Sequence, residues 1–331
     1  MKKIKICVLG AGSMGTALAH LLANNGLQAV LWGIDKGTNE AINTRHENKK
    51  FLSGVILSKN ISATLELETA LAGAEAVVVA LPVQAARSVL QKAKGFWPSG
   101  AAILSVSKGL EIKTGQTVSQ IIKEILSEEA RKKTAVLMGP LFASEISSQM
   151  PSVGLLAAFE PAVFRFFKNL LANDFFFVRQ SEDVLGAELG GALKNVYAIL
   201  LGVCDGLGYG WNAKSAAVTG VLKEFGEAGH YLGAKKETLH GLAGLGDLLT
   251  TGFGERSRNR RFGEKLAEGK TVKQALAEIG QVVEGLGTVK IAVKLLRKFK
   301  KETPFLHAVY LLAHRGQNPA VILGKILKND I

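Results

Sequence analysis

The chain has 331 residues, of which 47% are hydrophobic and 21% are charged, a balance typical of folded globular proteins rather than disordered ones. No apolar run approaches the roughly 20 residues that a membrane-spanning helix needs, and the apolar stretch after the basic start Met1–Lys5 is too short for an exported leader. The two cysteines, Cys7 and Cys204, lie far apart, and the histidines show no metal-ligand spacing. We therefore expect a cytoplasmic protein with no metal site and no membrane insertion.

The net charge of +13 raises nucleic acid as a partner, but the charge is unevenly placed along the chain. Thirteen basic and four acidic residues fall between Arg256 and Lys301, so this segment holds most of the surplus. The tight cluster Arg256–Arg261 mixes arginines with Ser257 and Asn259, which suits a phosphate-bearing small molecule. Aromatic residues of the kind that stack single-stranded bases are not interleaved with it. We expect no nucleic-acid partner.

The first half of the chain alternates short β-rich runs with helical patterns. The predicted strands are Ile4–Leu9, Gln28–Trp32, Ala76–Leu81, Ala102–Val106, Thr134–Leu137, Ser152–Phe159 and Phe175–Val178. The predicted helices are Ser13–Asn25, Val83–Ala93, Thr114–Leu126 and Pro161–Ala172. Because continuous apolar strands joined by helical crossovers form parallel sheets, we expect a parallel sheet covered on both faces.

The second half changes character, since no proline occurs between Pro161 and Pro304 and the apolar spacing becomes helical in period. The predicted helices here are Val184–Val203, Ala213–Leu232, Thr271–Ile279 and Thr288–Phe299. The expected fold is therefore α/β. A Rossmann-like domain is expected over residues 1–183, and a mainly α-helical domain over residues 184–331. The apolar faces of the helical domain are compatible with a homodimer.

A glycine-rich turn, Gly10-Ala11-Gly12-Ser13-Met14-Gly15, follows the first strand and opens the first helix. In this position the pattern is typical of dinucleotide binding. Gly10 makes the tight turn, Gly12 lets the backbone approach a pyrophosphate, and Gly15 lets the helix pack on the strand. The sequence thus predicts an NAD(H) or NADP(H) site.

The choice between the two nucleotides stays open at the end of the second strand. Gly33 stands where an NAD-specific site often carries an acid. Asp35 can bind a ribose hydroxyl, whereas Lys36 can meet a 2′-phosphate; the alternative is that both are solvated turn residues.

Two further segments follow predicted strands, where ligands bind in open parallel sheets. Lys108 comes after Ala102–Val106, and Gly139-Pro140 comes after Thr134–Leu137. Each is also compatible with ordinary turn chemistry.

Lys194 lies in an otherwise apolar, small-residue helix, where an amine is costly to bury unless it is paired or functional. Gly190 and Gly191 precede it by four and three residues, so its side chain is expected to pass over bare backbone that a ligand can approach. A snorkelling lysine at the edge of a core helix is the structural alternative.

Three downstream loops carry the remaining candidates. Asp247 follows Ala243–Gly246 and is either functional or a helix N-cap. Ser257-Arg258-Asn259 is either a phosphate cradle or an exposed basic turn. Glu284, in the loop Gly280–Gly285, can reach a ribose or cap a helix.

Together these motifs resemble the bacterial-type NAD(P)-dependent glycerol-3-phosphate dehydrogenases across nearly the whole chain. The resemblance is carried by Gly10–Ser13, Ser107–Glu111, Gly139-Pro140, Gly190–Asn195, Ala243–Asp247, Ser257–Gly263 and Val282–Gly285, in matching order and spacing. The last four are the specific ones, because the first occurs in any Rossmann protein.

The resemblance makes residues 1–183 the dinucleotide-binding domain and residues 184–331 the substrate and catalytic domain, and it implies a role for each matching residue. Lys194 matches the proton acceptor of the reaction, and Lys108 matches a residue that touches both cofactor and substrate. The positions matching substrate contacts are Gly139, Asp247, Ser257, Arg258 and Asn259. The positions matching cofactor contacts are Ser13, Met14, Ala143, Arg258, Val282 and Glu284.

The implied activity is the interconversion of dihydroxyacetone phosphate and sn-glycerol 3-phosphate, which supplies the glycerophospholipid backbone. Leu141 departs from the family pattern where relatives often carry a substrate-contacting threonine, and Ile34 departs near the adenosine phosphate. The alternatives are another two-domain Rossmann dehydrogenase, acting on a hydroxy acid or sugar acid, and a non-catalytic nucleotide- or nucleic-acid-binding protein.

Overall fold

The computed structural model describes residues 4–255, 257–297 and 303–329. The chain divides into two compact units. The first contains Met1–Ser107 and Val118–Val184, and the second contains Lys108–Thr117 and Leu185–Ile331. The segment Lys108–Thr117 therefore groups with the helical unit, although it lies within the predicted first domain, residues 1–183. Its apolar residues explain why, because Leu110 is buried in the helical core and Gly115 packs against Leu295.

The first unit alternates strands and helices. Its strands are β1 (Lys5–Leu9), β2 (Gln28–Trp32), β3 (Glu47–Asn48), β4 (Leu52–Ile56), β5 (Ile61–Thr64), β6 (Ala76–Val79), β7 (Ala102–Ser105), β8 (Thr134–Met138), β9 (Ser152–Ala158) and β10 (Phe176–Ser181). Its helices are α1 (Ser13–Asn24), α2 (Lys36–Arg45), α3 (Leu67–Leu71), α4 (Val83–Ala93), α5 (Val118–Ile125), α6 (Glu128–Lys132), α7 (Ala143–Ser147) and α8 (Pro161–Leu171). The short strands β3, β4 and β5 are not among the predicted strands.

Within the described residues, eight strands form one sheet in the order β10-β9-β8-β7-β6-β1-β2-β5, and β3 pairs with β4 in a separate hairpin. The strand order reverses direction at β1, which pairs in parallel with both β2 and β6. Such a switch point opens a crevice at the carboxyl end of the strands, where the glycine turn follows β1. The Rossmann-type sheet expected from the sequence is confirmed.

The expectation of a wholly parallel sheet is wrong at one edge, because β9 runs antiparallel to β8. The connection between them contains only the five-residue helix α7. Such a helix advances about 7 Å, whereas a five-residue strand spans about 16 Å. The chain therefore does not return to the starting end of the sheet, and β9 enters from the other end.

Both faces of the sheet are covered, as the apolar strands predict. Along β1, Ile6 and Val8 join one buried cluster while Cys7 and Leu9 join another. Successive strand residues point to opposite faces, so a strand covered on both sides must be apolar throughout. Burial raises the pKa of the Cys7 thiol to about 12, so this cysteine behaves as a small core residue.

The second unit is helical. Its helices are α9 (Val184–Gly206), α10 (Trp211–Tyr231), α11 (Lys236–His240), α12 (Asp247–Phe253), α13 (Arg258–Ala267), α14 (Val272–Ile279), α15 (Glu284–Arg297), α16 (Pro304–Arg315) and α17 (Pro319–Asn329). A single π-helical turn, Leu242–Gly246, leads into α12. The helix predicted over Thr288–Phe299 begins earlier, at Glu284, and its predicted last two residues lie outside the described residues.

The helix predicted over Thr114–Leu126 begins instead at Val118. The residues before it form a turn, in which the Thr114 hydroxyl donates to Glu111 Oε2 over 2.5 Å and Gly115 has a φ of +76°. A positive φ ends helical geometry, so local turn chemistry overrides the helical pattern here.

Helix α9 is the central helix of the second unit. It is long and apolar enough to cross a membrane by length and composition, which corrects the expectation that no apolar run approaches that size. However, 94% of its apolar window is buried inside the protein, so it is a core helix.

Helix α13 crosses α9 at unusually close range because glycines stand at the contact. A Cβ atom on Gly202 would lie 1.9 Å from the carbonyl oxygen of Arg260, and a Cβ on Gly263 would lie 1.9 Å from that of Ile199. The two backbones thus touch directly. This contact sets the distance between α13 and α9. Ser257 and Arg258 lie at the start of α13, and Lys194 lies in α9.

Replacing Gly202 with alanine should therefore lower the free energy of unfolding by about 1–3 kcal/mol, the usual cost of overpacking a close backbone contact. Urea unfolding followed by circular dichroism measures the effect. Gly324→Ala, also in a helix but with no atom within 4 Å of the added Cβ, is the matched control and should be neutral or slightly stabilising. Equal stability of the two variants would contradict the proposed role of the contact.

Candidate functional site

The glycine turn of the first unit has the geometry of a phosphate cradle. Gly10 has a φ of +116°, and a Cβ there would lie 2.4 Å from the carbonyl oxygen of Ala80. A Cβ on Gly15 would lie 2.0 Å from the carbonyl oxygen of Gly10. Gly12 has nothing within 4 Å of its Cβ position, which leaves the open space that a pyrophosphate needs. The turn therefore fits a dinucleotide at the N-terminus of α1, where Ser13 and Met14 are the first helical residues.

Gly139 and Ala143 lie close together after β8. Gly139 has a φ of +125°, and its carbonyl oxygen accepts from the amide of Leu141 over 2.8 Å. The Leu141 side chain is buried among the apolar residues of the sheet. The leucine at position 141, which departs from the family pattern, thus has a packing role. Ala143 begins the short helix α7.

Lys194 is buried in α9, with only 5% of its surface exposed. Its Nζ atom donates to Asp247 Oδ1 over 2.8 Å and to Thr251 Oγ1 over 2.6 Å. The Asp247 side chain is 3% exposed, and its other oxygen, Oδ2, accepts from Lys108 Nζ over 2.5 Å. One buried carboxylate therefore holds two ammonium groups, and the three residues together carry a positive charge that suits an anionic ligand.

The surroundings of Lys194 lower its pKa to about 8. Burial is the largest cause, because it disfavours the charged amine, and the nearby Lys108 acts in the same direction. Asp247 opposes both, and the carboxylate of Glu284 also raises the pKa. An amine with this pKa can both donate and accept a proton near neutral pH.

Gly190, four residues before Lys194, has a different role from the one expected. A Cβ on Gly190 would lie 2.6 Å from the carbonyl oxygen of Ala243, so the backbone of the π-helical turn occupies the bare patch. The expectation that a ligand approaches over Gly190 is wrong. The close contact instead brings the start of α12, and with it Asp247, within reach of Lys194.

A closed set of hydrogen bonds joins α9, α13 and α15 beside this lysine. Asn195 Nδ2 donates to Glu284 Oε2 over 3.1 Å, and Asn195 Oδ1 accepts from Asn259 Nδ2 over 2.8 Å. Asn259 Oδ1 in turn accepts from the amide of Gly285 over 2.9 Å. Asn259 is buried and both of its polar atoms are engaged, so in this structure it ties the three helices together.

Glu284 begins α15 and is half-buried. Burial raises its pKa, whereas the charges of Arg258, Lys194 and Lys108 lower it. Val282, two residues earlier, is 61% exposed.

Ser257 is the N-cap of α13, since its hydroxyl accepts from the amide of Arg260 over 3.3 Å. Arg258 is therefore the first helical residue, at the positive end of the helix dipole. Arg256, the first residue of the predicted basic cluster, lies outside the described residues.

Thr251 and Asn195 belong to this site and are not among the predicted site residues. Thr251 lies four residues after Asp247 in α12, a spacing that places both on one helix face. Asn195 directly follows Lys194. The helical spacing is the signal that identifies Thr251, once Asp247 is taken as functional rather than as a cap.

Family models named for the two halves of NAD-dependent glycerol-3-phosphate dehydrogenase match this chain, the N-terminal model over residues 5–163 and the C-terminal model over residues 183–324. The chain belongs to the NAD-dependent glycerol-3-phosphate dehydrogenase family. This confirms the family, the oxidoreductase class and the NAD(P) cofactor expected from the sequence.

Relatives that match over nearly the whole chain indicate the same family. The chain is 42% identical to glycerol-3-phosphate dehydrogenase [NAD(P)+] of Myxococcus xanthus, covering 94% of this chain and 93% of the relative. It is 40% identical to that of Carboxydothermus hydrogenoformans, covering 96% and 95%. The crystal structure of glycerol-3-phosphate dehydrogenase from Coxiella burnetii superposes with a TM-score of 0.93 at 32% identity, covering 99% of both chains.

The effect of Asp247 on Lys194 can be measured directly. Titration of the Lys194 side chain by carbon-13 NMR should give a midpoint near 8, and Asp247→Asn should move that midpoint lower, because the anion that stabilises the ammonium is removed while Lys108 remains. Asp205, which bridges Lys214 and Arg260, provides the matched control Asp205→Asn, which should leave the midpoint unchanged. A midpoint that rises or stays constant in Asp247→Asn would contradict this electrostatic account.

Proposed function

We propose that the chain interconverts dihydroxyacetone phosphate and sn-glycerol 3-phosphate, using NAD(H) or NADP(H). The family membership supports the reaction. The observation that carries the chemical assignment is the buried amine of Lys194, held by Asp247 and Thr251 with a pKa lowered to about 8. A bound nicotinamide nucleotide supplies or accepts the hydride at C2 of the substrate.

Lys194 moves the proton. In reduction, its ammonium form donates to the oxygen that develops charge at C2, and in oxidation its neutral form takes the hydroxyl proton. A pKa of about 8 leaves both forms populated near neutral pH, as a reversible acid–base group requires. Asp247 orients the amine, and Lys108 places a second positive charge beside it.

The substrate phosphate is assigned to the start of α13. The capped N-terminus and Arg258 offer a positive dipole end and a planar guanidinium. Binding at this remote group positions the carbonyl for transfer. Asn259 holds the helix in place. The substrate contacts of Gly139, Ser257 and Asn259 stay predictions, as do the cofactor contacts of Ala143, Val282 and Glu284.

The cellular setting is proposed on the same basis. The product is the backbone of glycerophospholipids, so we assign the chain to lipid synthesis in the cytoplasm, for which the buried free thiols of Cys7 and Cys204 are suited. Assembly as a homodimer stays a prediction that size-exclusion chromatography with light scattering can test.

Loss of nucleotide absorbance at 340 nm tests the reaction. NADH or NADPH should be oxidised with dihydroxyacetone phosphate and not with unphosphorylated dihydroxyacetone or a 2-keto acid. Lys194→Ala should lower turnover about 10²- to 10⁴-fold, the range typical for a lost general acid–base, with nucleotide binding nearly unchanged. Preference for the keto acid would favour the hydroxy-acid alternative. Salt-sensitive nucleic-acid binding without nucleotide oxidation would favour the non-catalytic one.

The role of Arg258 is tested by its effect on the substrate KM. Arg258→Ala should raise that KM roughly 10- to 100-fold, because a charge-assisted hydrogen bond is worth about 1.5–3 kcal/mol. Arg261→Ala, an exposed arginine of the same helix, is the control and should change KM little. Equal effects of the two substitutions would remove the assignment.

A further inference from the structure

We propose that Lys50 determines whether this enzyme accepts the 2′-phosphorylated nucleotide, by exchanging its bond to Asp35 for one to the 2′-phosphate of NADPH. The inference rests on the nucleotide use proposed above and concerns only the first unit.

Three segments are fixed to one another around the glycine turn. The amide of Gly10 donates to the carbonyl oxygen of Trp32, the last residue of β2, over 2.9 Å. Asn48, which is 1% exposed, donates from Nδ2 to the carbonyl oxygen of Ala11 over 3.0 Å and to the Thr16 hydroxyl over 2.8 Å. The β3–β4 hairpin, with Lys50 in its turn, is thereby held beside the end of β2. In dinucleotide-binding sheets this is where the adenosine ribose lies.

Packing excludes an acidic residue directly after β2. A Cβ on Gly33 would lie 2.8 Å from the Ala11 Cβ and 2.8 Å from Asn39 Oδ1. Asn39 is itself fixed, because its Nδ2 donates to the carbonyl oxygen of Gly33 over 2.9 Å. No side chain can therefore reach the ribose from position 33, and Asp35 is the next acid along the chain.

The carboxylate of Asp35 is engaged on both oxygens. Oδ1 accepts from the amide of Thr38 over 2.7 Å and caps α2, while Oδ2 accepts from Lys50 Nζ over 2.7 Å. The hydrogen bond from Lys50 is the largest cause of the lowered pKa of Asp35, about 2. In the closed pair the charge of Asp35 is balanced by Lys50, and the bond from the Thr38 amide to Oδ1 remains whichever partner Lys50 takes.

The ion pair is also easily opened. The Asp35 and Lys50 side chains are 41% and 57% exposed, and exposed ion pairs contribute little to stability. A phosphate dianion offers Lys50 a stronger charge-assisted partner. With NADH the pair stays closed, and with NADPH Lys50 turns to the phosphate, so both nucleotides are accommodated at one site.

The test compares Lys50→Met with Lys49→Met, a neighbouring lysine that pairs with Glu47 at 3.3 Å. Steady-state kinetics with dihydroxyacetone phosphate should show the KM for NADPH raised about tenfold or more in Lys50→Met, as the loss of a charge-assisted phosphate contact implies, with the KM for NADH nearly unchanged. Lys49→Met should leave the ratio of the two KM values as in the wild type. Asp35→Asn should lower the KM for NADPH, because Lys50 is released.

Calorimetric binding of 2′-phospho-ADP-ribose and ADP-ribose measures the same discrimination without turnover. Lys50→Met should weaken the first ligand selectively. An unchanged affinity ratio in Lys50→Met, or an equal loss for both ligands, overturns the proposal. Because these fragments bind without a substrate, failure of the proposed reaction and failure of the Lys50 assignment give different results.

Discussion

The arrangement of charged side chains in the second unit depends on the carboxylate of Asp247, which binds Lys194 and Lys108 at the same time. A buried charge is costly unless it is paired, and a pair of lysines without an anion between them would repel each other. The negative charge of Asp247 offsets the cost of burying the two lysines. One positive charge remains unbalanced. The same carboxylate that permits burial of Lys194 also limits how far burial can lower its pKa.

The position of Asp247 is set by backbone packing rather than by side chains. The backbone of the π-helical turn before Asp247 packs against Gly190, and the backbone of α13 packs against Gly202. Larger residues at these glycines would move α12 and α13 away from α9. The asparagines at 195 and 259 then join the start of α15 to the same frame, so the charged groups near Lys194 occupy places determined by three helix contacts.

The sequence allowed much of this to be predicted, and the failures have physical causes. The glycine turn and the β1 strand follow from local rules, as does the fully apolar character of a strand covered on both faces. The direction of β9 does not, because it depends on how far a short helix carries the chain. The hydrogen bonds of Asn259 to Asn195 and Gly285 are likewise not predictable, because they depend on a helix crossing that no local pattern encodes; its substrate contact stays a prediction. Thr251 was missed because a threonine in a helix is ordinary until its neighbour one turn away is known to bind a lysine.

The apolar helix α9 is synthesised before the helices that cover it. Arg260 and Gly263 of α13 contact it directly, and the apolar cluster to which it belongs extends to Phe305 and Val309 of α16, all of which are synthesised later. As the chain leaves the ribosome, an apolar helix with a buried lysine therefore emerges well before its covering helices exist. Exposed apolar surface of this kind promotes aggregation and chaperone binding. The segment that positions the reactive amine is thus also the one that most needs protection during synthesis, until the C-terminal helices arrive.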